Sequence, residues 1–244
     1  MKNLQKLDFH LHTLDDPLDH HVRHTATELI DKAQLLGFSA LSITLHDSQY
    51  ENERIFQYAA HRGILLIPGV EKTVEGCHIL LIHFPKKIAE QISTFEELRK
   101  AKALVEQETM VIAAHPFYPN STCLKEKIFA HPSLFDAIEI SGYSHRFWNP
   151  NQKARAAAAQ LNLPLLGNSD THTLQQFGTI WTEVESEPEA GAILRALKAG
   201  KGVLKGRNLG GVEMASITWK VIVMGYMPWV NYKKQRGIEP DSAK

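Results

Sequence analysis

Apolar and polar positions alternate from Leu7 to His12, a period of two that predicts a short strand with its histidines on one face. A helical apolar pattern follows over Glu28 to Leu36, entered through Thr25 or Thr27 as cap and closed by Gly37. Ala40 to Thr44 reads as a strand and Glu51 to Arg62 as a helix closed by Gly63. The apolar stretch Ile64 to Ile67 runs on past Pro68 and Gly69 into Val70 to Thr73, and Cys77 to Ile82 is another strand. Thr94 to Gln107 is a helix with Glu96 and Glu97 in its first turn, where the helix dipole favours them. The alternation continues with strands over Met110 to Ala114, Phe135 to Ile140 and Pro164 to Gly167. The intervening helices lie around Leu124 to Ala130, over Asn151 to Leu161 and over Glu187 to Ala199.

Strands alternating with helices, with no Ser/Gly/Pro-rich linker between them, predict an α/β domain of parallel β/α units. About seven strands in about 200 residues favour a small closed barrel over an open sheet. The expected domain spans residues 1–206. Residues 207–244 form an aromatic and apolar extension in which Val212 to Val230 carries Trp219, Val221, Ile222, Val223, Met224, Tyr226, Met227 and Trp229, with Lys233, Lys234 and Arg236 beyond. Lys220, Gly225 and Pro228 interrupt that run, so it is expected to cover apolar surface on its own barrel or on a second subunit, making a homo-oligomer, and not to lie on a membrane.

The 244 residues have a formal net charge of zero, which supplies no global field for nucleic acid or anionic lipid and leaves partner choice to a site. Two cysteines, Cys77 and Cys123, are too few for a disulfide framework, and no apolar run of signal-peptide length opens the sequence. A reducing, cytoplasmic setting is the expectation. The outlier in composition is histidine, 13 residues of 244. Imidazole is the commonest side-chain metal ligand, so the surplus itself suggests a site.

The chemistry-bearing residues gather where the expected strands end. His10 and His12, two apart, leave the first strand on the same face and can reach one ion. His46 follows the second strand, Glu71 the third, His78 lies on the fourth, His115 ends the fifth, Glu139 lies in the sixth, and Asp170 and His172 follow the seventh. In β/α proteins the carboxyl ends of the strands converge on one mouth, where sites are built. Imidazoles and carboxylates without a thiolate cluster suit zinc, manganese, iron or nickel. At least eight candidate ligands over-supply a single ion, so two or three ions are expected, an arrangement suited to phosphoester hydrolysis by a metal-bound hydroxide. His78 and His115 have the competing reading of buried core histidines. Glu139 and Asp8 can instead hold a ligand imidazole by its other nitrogen, the preferred role for Asp8. His61, His83, His131 and His145 have no motif around them.

In order, Asp8-Phe9-His10-Leu11-His12-Thr13, Ser42-Ile43-Thr44-Leu45-His46-Asp47, Gly69-Val70-Glu71, Cys77-His78-Ile79-Leu80, Ala114-His115-Pro116 and Asn168-Ser169-Asp170-Thr171-His172 resemble the motifs of the PHP (polymerase and histidinol phosphatase) family. The resemblance runs from about residue 7 to about residue 206. It implies a distorted (β/α)7 TIM-like barrel whose trinuclear metal site, at the carboxyl ends of the strands, hydrolyses phosphoesters. By matching position, His10, His12, Glu71 and Asp170 would hold one ion, Glu71 would bridge to a second held by His78 and His115, and His46 and His172 would contribute to a third.

This chain departs from that pattern in two places. Leu45 stands where the family usually has Asp before the histidine, with Asp47 following instead, and the segment after His12 is longer than in similar sequences. The further ligand to the third ion is therefore open among Asp15, Asp16, Asp19, His20, His21 and His24. The His20-His21-x-x-His24 cluster otherwise reads as a solvated loop. The resulting expectation is hydrolysis of a small phosphomonoester or nucleotide, with manganese, iron or zinc. The alternatives are a phosphodiesterase or exonuclease trimming short oligonucleotides, and a non-catalytic metal-binding module of the same fold. No basic stretch interleaved with aromatics runs along the barrel sequence to bind a long nucleic acid.

Overall fold

The computed structural model describes residues 3–105 and 108–223. In chain order the elements are β1 (Asn3–Leu11), α1 (Ala26–Leu35), β2 (Ala40–Ile43), α2 (Glu53–His61), β3 (Leu65–Leu66), β4 (Gly69–Val74), β5 (Cys77–Ile82), α3 (Lys86–Ala89), α4 (Phe95–Leu104) and β6 (Met110–Ala113). They continue with α5 (Lys127–Ala130), β7 (Ala137–Ser141), α6 (Asn151–Leu161), β8 (Leu165–Asn168), β9 (Ile180–Ser186), α7 (Ala190–Lys198), β10 (Val203–Gly206) and α8 (Gly211–Thr218), which runs into a wider turn over Trp219–Val223. Among the described residues no helix is long and apolar enough to cross a membrane.

The helices start where the side chains can satisfy free main-chain donors. Thr25 caps α1 and Thr94 caps α4, each with a glutamate three residues on, Glu28 or Glu97, that returns a hydrogen bond to the cap. Asn52 caps α2 through the Ile55 N–H. Gly37 and Gly63, just past the ends of α1 and α2, take the left-handed conformation that glycine adopts without a steric cost.

The strands form two five-stranded sheets, in the orders β10-β9-β1-β2-β3 and β4-β5-β6-β7-β8, and not one closed sheet of parallel units. β1, β2 and β3 pair in parallel, as do β6, β7 and β8, but β4-β5, β5-β6, β1-β9 and β9-β10 are antiparallel. The expectation of all-parallel units is corrected there. Ile64 to Thr73 is likewise not one strand: β3 stays with the first sheet, and Pro68, which has no amide proton to give a ladder, precedes β4, which begins the second. β9 and β10 were not anticipated.

Two seams join the sheets. At one, His46 bridges Glu71 in parallel, and a Cβ at Gly69 would collide with the Ser42 hydroxyl, so only glycine lets β4 approach β2 this closely. At the other, the Thr182 hydroxyl bonds both the N–H and the C=O of Gly167 at 2.8 and 3.2 Å, and a Cβ at Gly167 would lie 2.9 Å from the Trp181 carbonyl. A core common to both sheets combines Leu7 and Phe9 of β1, Leu80 and Ile82 of β5, Leu166 of β8 and Val184 of β9 with Ile193, Leu194 and Leu197 of α7.

The described part of the C-terminal extension lies on its own chain. The Leu209 N–H donates to the Ser144 carbonyl at 2.8 Å, Ile217 is fully buried, and the hydroxyls of Tyr143 and Thr218 meet. Val212 and Trp219 face outward. Met224, Tyr226, Met227, Trp229, Lys233, Lys234 and Arg236 lie outside the described residues.

Candidate metal centre

Glu71, 1% exposed on β4, lies at the centre of the histidines. Its Oε2 is 3.2 Å from His10 Nε2, 3.3 Å from His12 Nε2 and 3.1 Å from His46 Nε2. Its Oε1 is 2.7 Å from His78 Nδ1 and 3.1 Å from His115 Nε2. One carboxylate thus faces three imidazoles with one oxygen and two with the other. Asp170 Oδ1 stands 3.5 Å from His10 Nε2 and 3.6 Å from His12 Nε2, beside the same group. His78 reaches this cluster because β5 runs antiparallel to β4: His78 is paired with Thr73, so the beginning of β5 sits where the other strands end.

Four of the imidazoles are tied by Nδ1 to a protein oxygen, which leaves Nε2 aimed inward. His10 Nδ1 meets Glu139 Oε1 at 2.9 Å, and His12 and His46 Nδ1 meet Asp16 Oδ2 at 2.8 and 3.1 Å. His172 Nδ1 meets the Asp170 carbonyl at 3.1 Å. An imidazole that donates its Nδ1 proton to such an acceptor carries its lone pair on Nε2, the form that binds a metal. His10 Nε2, His12 Nε2 and Asp170 Oδ1 are all buried without a hydrogen bond. Buried polar atoms are almost always satisfied, so converging nitrogen and carboxylate donors left open are a donor set that fits a divalent first-row cation.

The carboxylates make the pocket one that favours positive charge, which a proton or a cation can supply. Burial would raise the Glu71 pKa, but His10, His46 and His78 hold it well below the usual carboxylate range. Burial alone would lower His10, yet Glu139, Glu71 and Asp170 raise it to about 10. Asp170 is held low against its burial by His10 and His172. Asp8 is the exception, since burial pushes its carboxyl up to about 7 even though Ser169 bonds it.

Asp8 lies apart from the open donors. It accepts the Ser169 N–H at 3.1 Å and the Ser169 hydroxyl at 2.5 Å, and so sets the turn that presents Asp170. Glu139 is engaged on both oxygens, Oε1 by His10 and by Asn168 Nδ2 at 2.9 Å, and Oε2 by the His115 N–H at 2.7 Å. That last bond holds His115 in a left-handed conformation, φ 27°, which is costly for a non-glycine residue and is found where a site over-determines the backbone. Asp170, φ 52°, shares the feature.

Among the candidates left open in the long segment after His12, geometry separates the roles. Asp19 Oδ2 is 2.6 Å from His172 Nε2 and 3.6 Å from His46 Nδ1, and the His21 ring stacks on His172 with centroids 5.4 Å apart, so Asp19, His21 and His172 form a further potential ligand group. Asp16 stands behind His12 and His46. His24 turns away from the donors: its Nε2 bonds the His12 carbonyl at 2.8 Å, and burial lowers its pKa to about 4. His20 is exposed and Asp15 half-buried, and neither joins the central group.

Leu45 is buried in the apolar core, and Asp47 points out of the site, accepting the Thr73 N–H at 2.8 Å beside Lys72. His61 lies in the last turn of α2, His83 bonds the Glu108 carbonyl, His131 stacks on Phe95 and His145 pairs with the Trp148 backbone, all elsewhere. Sequence reasoning had no motif for Tyr118, Trp148 or Cys123, whose Sγ is 3.4 Å from His115 Nδ1.

The cluster opens into a cavity of about 680 Å³, a size suited to a small molecule. A second cavity, of about 630 Å³, lies at the opposite ends of the strands near Asn3, Ser39 and Leu65 and has no titratable side chain in its lining.

Residues 148–201 match the family model described as PHP-associated. No curated protein matches the sequence. Among solved structures the chain is similar to PsfC from Pseudomonas syringae PB-5123, with a TM-score of 0.65 at 18% identity over 91% of this chain and 98% of that one. It is also similar to a putative metal-dependent phosphoesterase from Bifidobacterium adolescentis, with a TM-score of 0.51 at 15% identity over 91% of this chain and 98% of that one. An amidohydrolase from Chromobacterium violaceum, solved with bound sulfate and no metal, gives a TM-score of 0.50 at 17% identity over 68% of this chain and 87% of that one. These likenesses establish the shared fold. The match over 148–201 relates that stretch to the PHP-associated model, and the ordered histidine and carboxylate motifs lie on the shared fold.

Proposed function

We propose that this protein is a metal-dependent hydrolase that cleaves a small phosphoester at the Glu71 cluster, using two or three ions of manganese, iron or zinc. The observation that carries the reading is the division of Glu71, whose Oε2 faces His10, His12 and His46 while Oε1 faces His78 and His115. A carboxylate with ligands gathered at each oxygen is the arrangement that bridges two cations. His10, His12 and Asp170 would join the Oε2 side, His78 and His115 the Oε1 side, and Asp19, His21 and His172 would hold a third. Bound ions lower the pKa of water and neutralise the charge that builds on the phosphoryl oxygens.

The protein's own contribution is orientation. Asp16 and Glu139 take the Nδ1 protons of His12, His46 and His10, which fixes the tautomer and keeps each Nε2 aimed inward. Asp8 sets the Ser169 turn, and with it the position of Asp170. The similarity to the B. adolescentis protein supports the phosphoester reading, while the similarity to the C. violaceum amidohydrolase makes an amide the first competing bond to test.

The experiment is metal analysis of the purified protein, followed by turnover on phosphomonoesters, phosphodiesters and an amide, before and after chelation and metal return. The expected result is two or three ions per chain and phosphomonoester hydrolysis that is lost on chelation and restored with metal. Undiminished turnover after complete metal removal would overturn the reading. Bound metal with no turnover on any phosphoester would decide for a non-catalytic module.

A further inference from the structure

Resting on the phosphoester reading, the geometry points to a substrate class: a phosphomonoester whose alcohol carries a flat apolar ring, seated against Trp148 and Tyr118 beside the histidine cluster. The cavity has two unlike halves. One is the cluster itself. The other is an aromatic wall made by Tyr118, Tyr143 and Trp148, faced by Ile217 of α8 and Val221 just after it.

The wall begins one ring from the donors, since the Tyr118 and His115 ring centroids are 6.2 Å apart. Trp148 stands edge-on to Tyr118 at 5.6 Å and 82° and to Tyr143 at 5.9 Å and 77°. The arrangement is held in place: the Tyr118 hydroxyl donates to the Tyr143 carbonyl at 2.8 Å, the Trp148 and His145 main chains bond each other at 2.9 and 3.0 Å, and Tyr143 is tied to Thr218 of α8. Within this frame Trp148 remains 39% exposed. A large, preset aromatic surface open to a cavity gains by being covered with another flat apolar group, through removal of its area from water and through ring contacts.

The same lining argues against a second phosphate. Among the described residues no Lys or Arg lines this cavity, so none of them offers a cation to a further phosphate of a polyphosphate or an oligonucleotide. The hydroxyl and amide groups of Asn120, Ser121 and Thr122 on the rim suit an uncharged polar substituent instead.

Two non-hydrolysable probes with the same charged head test the assignment: phenylphosphonate and methylphosphonate, titrated by calorimetry into the metal-loaded full chain. Phenylphosphonate is expected to bind about tenfold tighter, and Trp148→Ala to bring the ratio to about one. Equal affinities in the native protein would overturn the ring subsite and leave the phosphoester reading standing. A preference that survives Trp148→Ala would overturn the placement on Trp148. Binding of neither probe would overturn the phosphoester reading, and this inference with it. The native ratio decides the class even if the variant fails to fold.

Discussion

Asp16 holds His46 twice, its Oδ2 accepting the main-chain N–H at 3.0 Å and the ring Nδ1–H at 3.1 Å, while the same oxygen takes the His12 ring at 2.8 Å. One carboxylate in a loop thereby orients imidazoles from the ends of two different strands. Burial would push its pKa up, but the hydrogen bonds from His12 and His46 keep it well below the ordinary carboxylate range. A partner that sets both tautomer and ring angle typically changes metal affinity by about 10–100-fold when removed.

Asp16→Ala is therefore expected to weaken metal binding by about 10–100-fold with the fold retained, read by competition against a chelating dye while circular dichroism reports the fold. Native metal affinity in this variant would show that the two imidazoles are oriented without it.

Glu71→Gln removes the charge to which both groups of histidines are turned. Fewer ions per chain by elemental analysis are expected, together with a fall in turnover larger than that of Asp16→Ala. Unchanged stoichiometry would remove the bridging role from Glu71.

A metal held more tightly by the folded centre than by the dispersed ligands of the unfolded chain would add stability by mass action. At a free-metal concentration about 100 times Kd the gain is about 2.7 kcal/mol per site. The melting temperature is expected to rise with manganese or zinc concentration and to drop on chelation. A melting temperature indifferent to metal would contradict a preformed centre.

Outside the centre, Glu97 accepts the Ser93 hydroxyl and N–H at 2.8 Å and the Thr94 N–H at 2.9 Å, and these bonds, led by the Ser93 hydroxyl, lower its pKa to about 2 from 4.5. Because the folded value is depressed, its contribution is present above about pH 4.5 and is lost as the pH falls toward 2. Glu97→Gln is expected to melt below the native protein at neutral pH, with the gap closing through that window. A gap independent of pH would mean that the carboxylate charge is not what stabilises the start of α4.

How much of this was legible beforehand depended on the range of the interactions involved. The placement of His10, His12, His46, His115, Asp170 and His172 at or near strand ends was readable because side-chain alternation and helix punctuation are local, and ordered motifs carry their own spacing, whereas Glu71, expected after a strand, lies inside β4. Helices α1, α4 and α6 were readable for the same reason, through Thr25, Thr94 and the uninterrupted run from Asn151 to Leu161.

What only the tertiary structure decided was pairing. An apolar strand looks the same whether its neighbour is parallel or antiparallel, so the antiparallel β5 that brings His78 to the mouth, and the division into two sheets, were invisible in Cys77 to Ile82 alone. β9 is held in place by pairing with β1 and β10 by pairing with β9; the alternation of Ile180, Thr182, Val184 and Ser186 was legible in β9, whereas β10 is exposed and short. Among Asp15, Asp16, Asp19, His20, His21 and His24 the chain has no periodicity to rank one residue over another. Asp16 is chosen by its bonds to His12 and His46, Asp19 by its contact with His172, and His24 is turned away by the His12 carbonyl. By itself the sequence determined which residues can carry metal chemistry and near which strand ends most of them stand. Which nitrogen each imidazole presents, and to which oxygen, was settled by contacts between residues far apart in the chain, because a hydrogen bond reads distance in space and not separation in sequence.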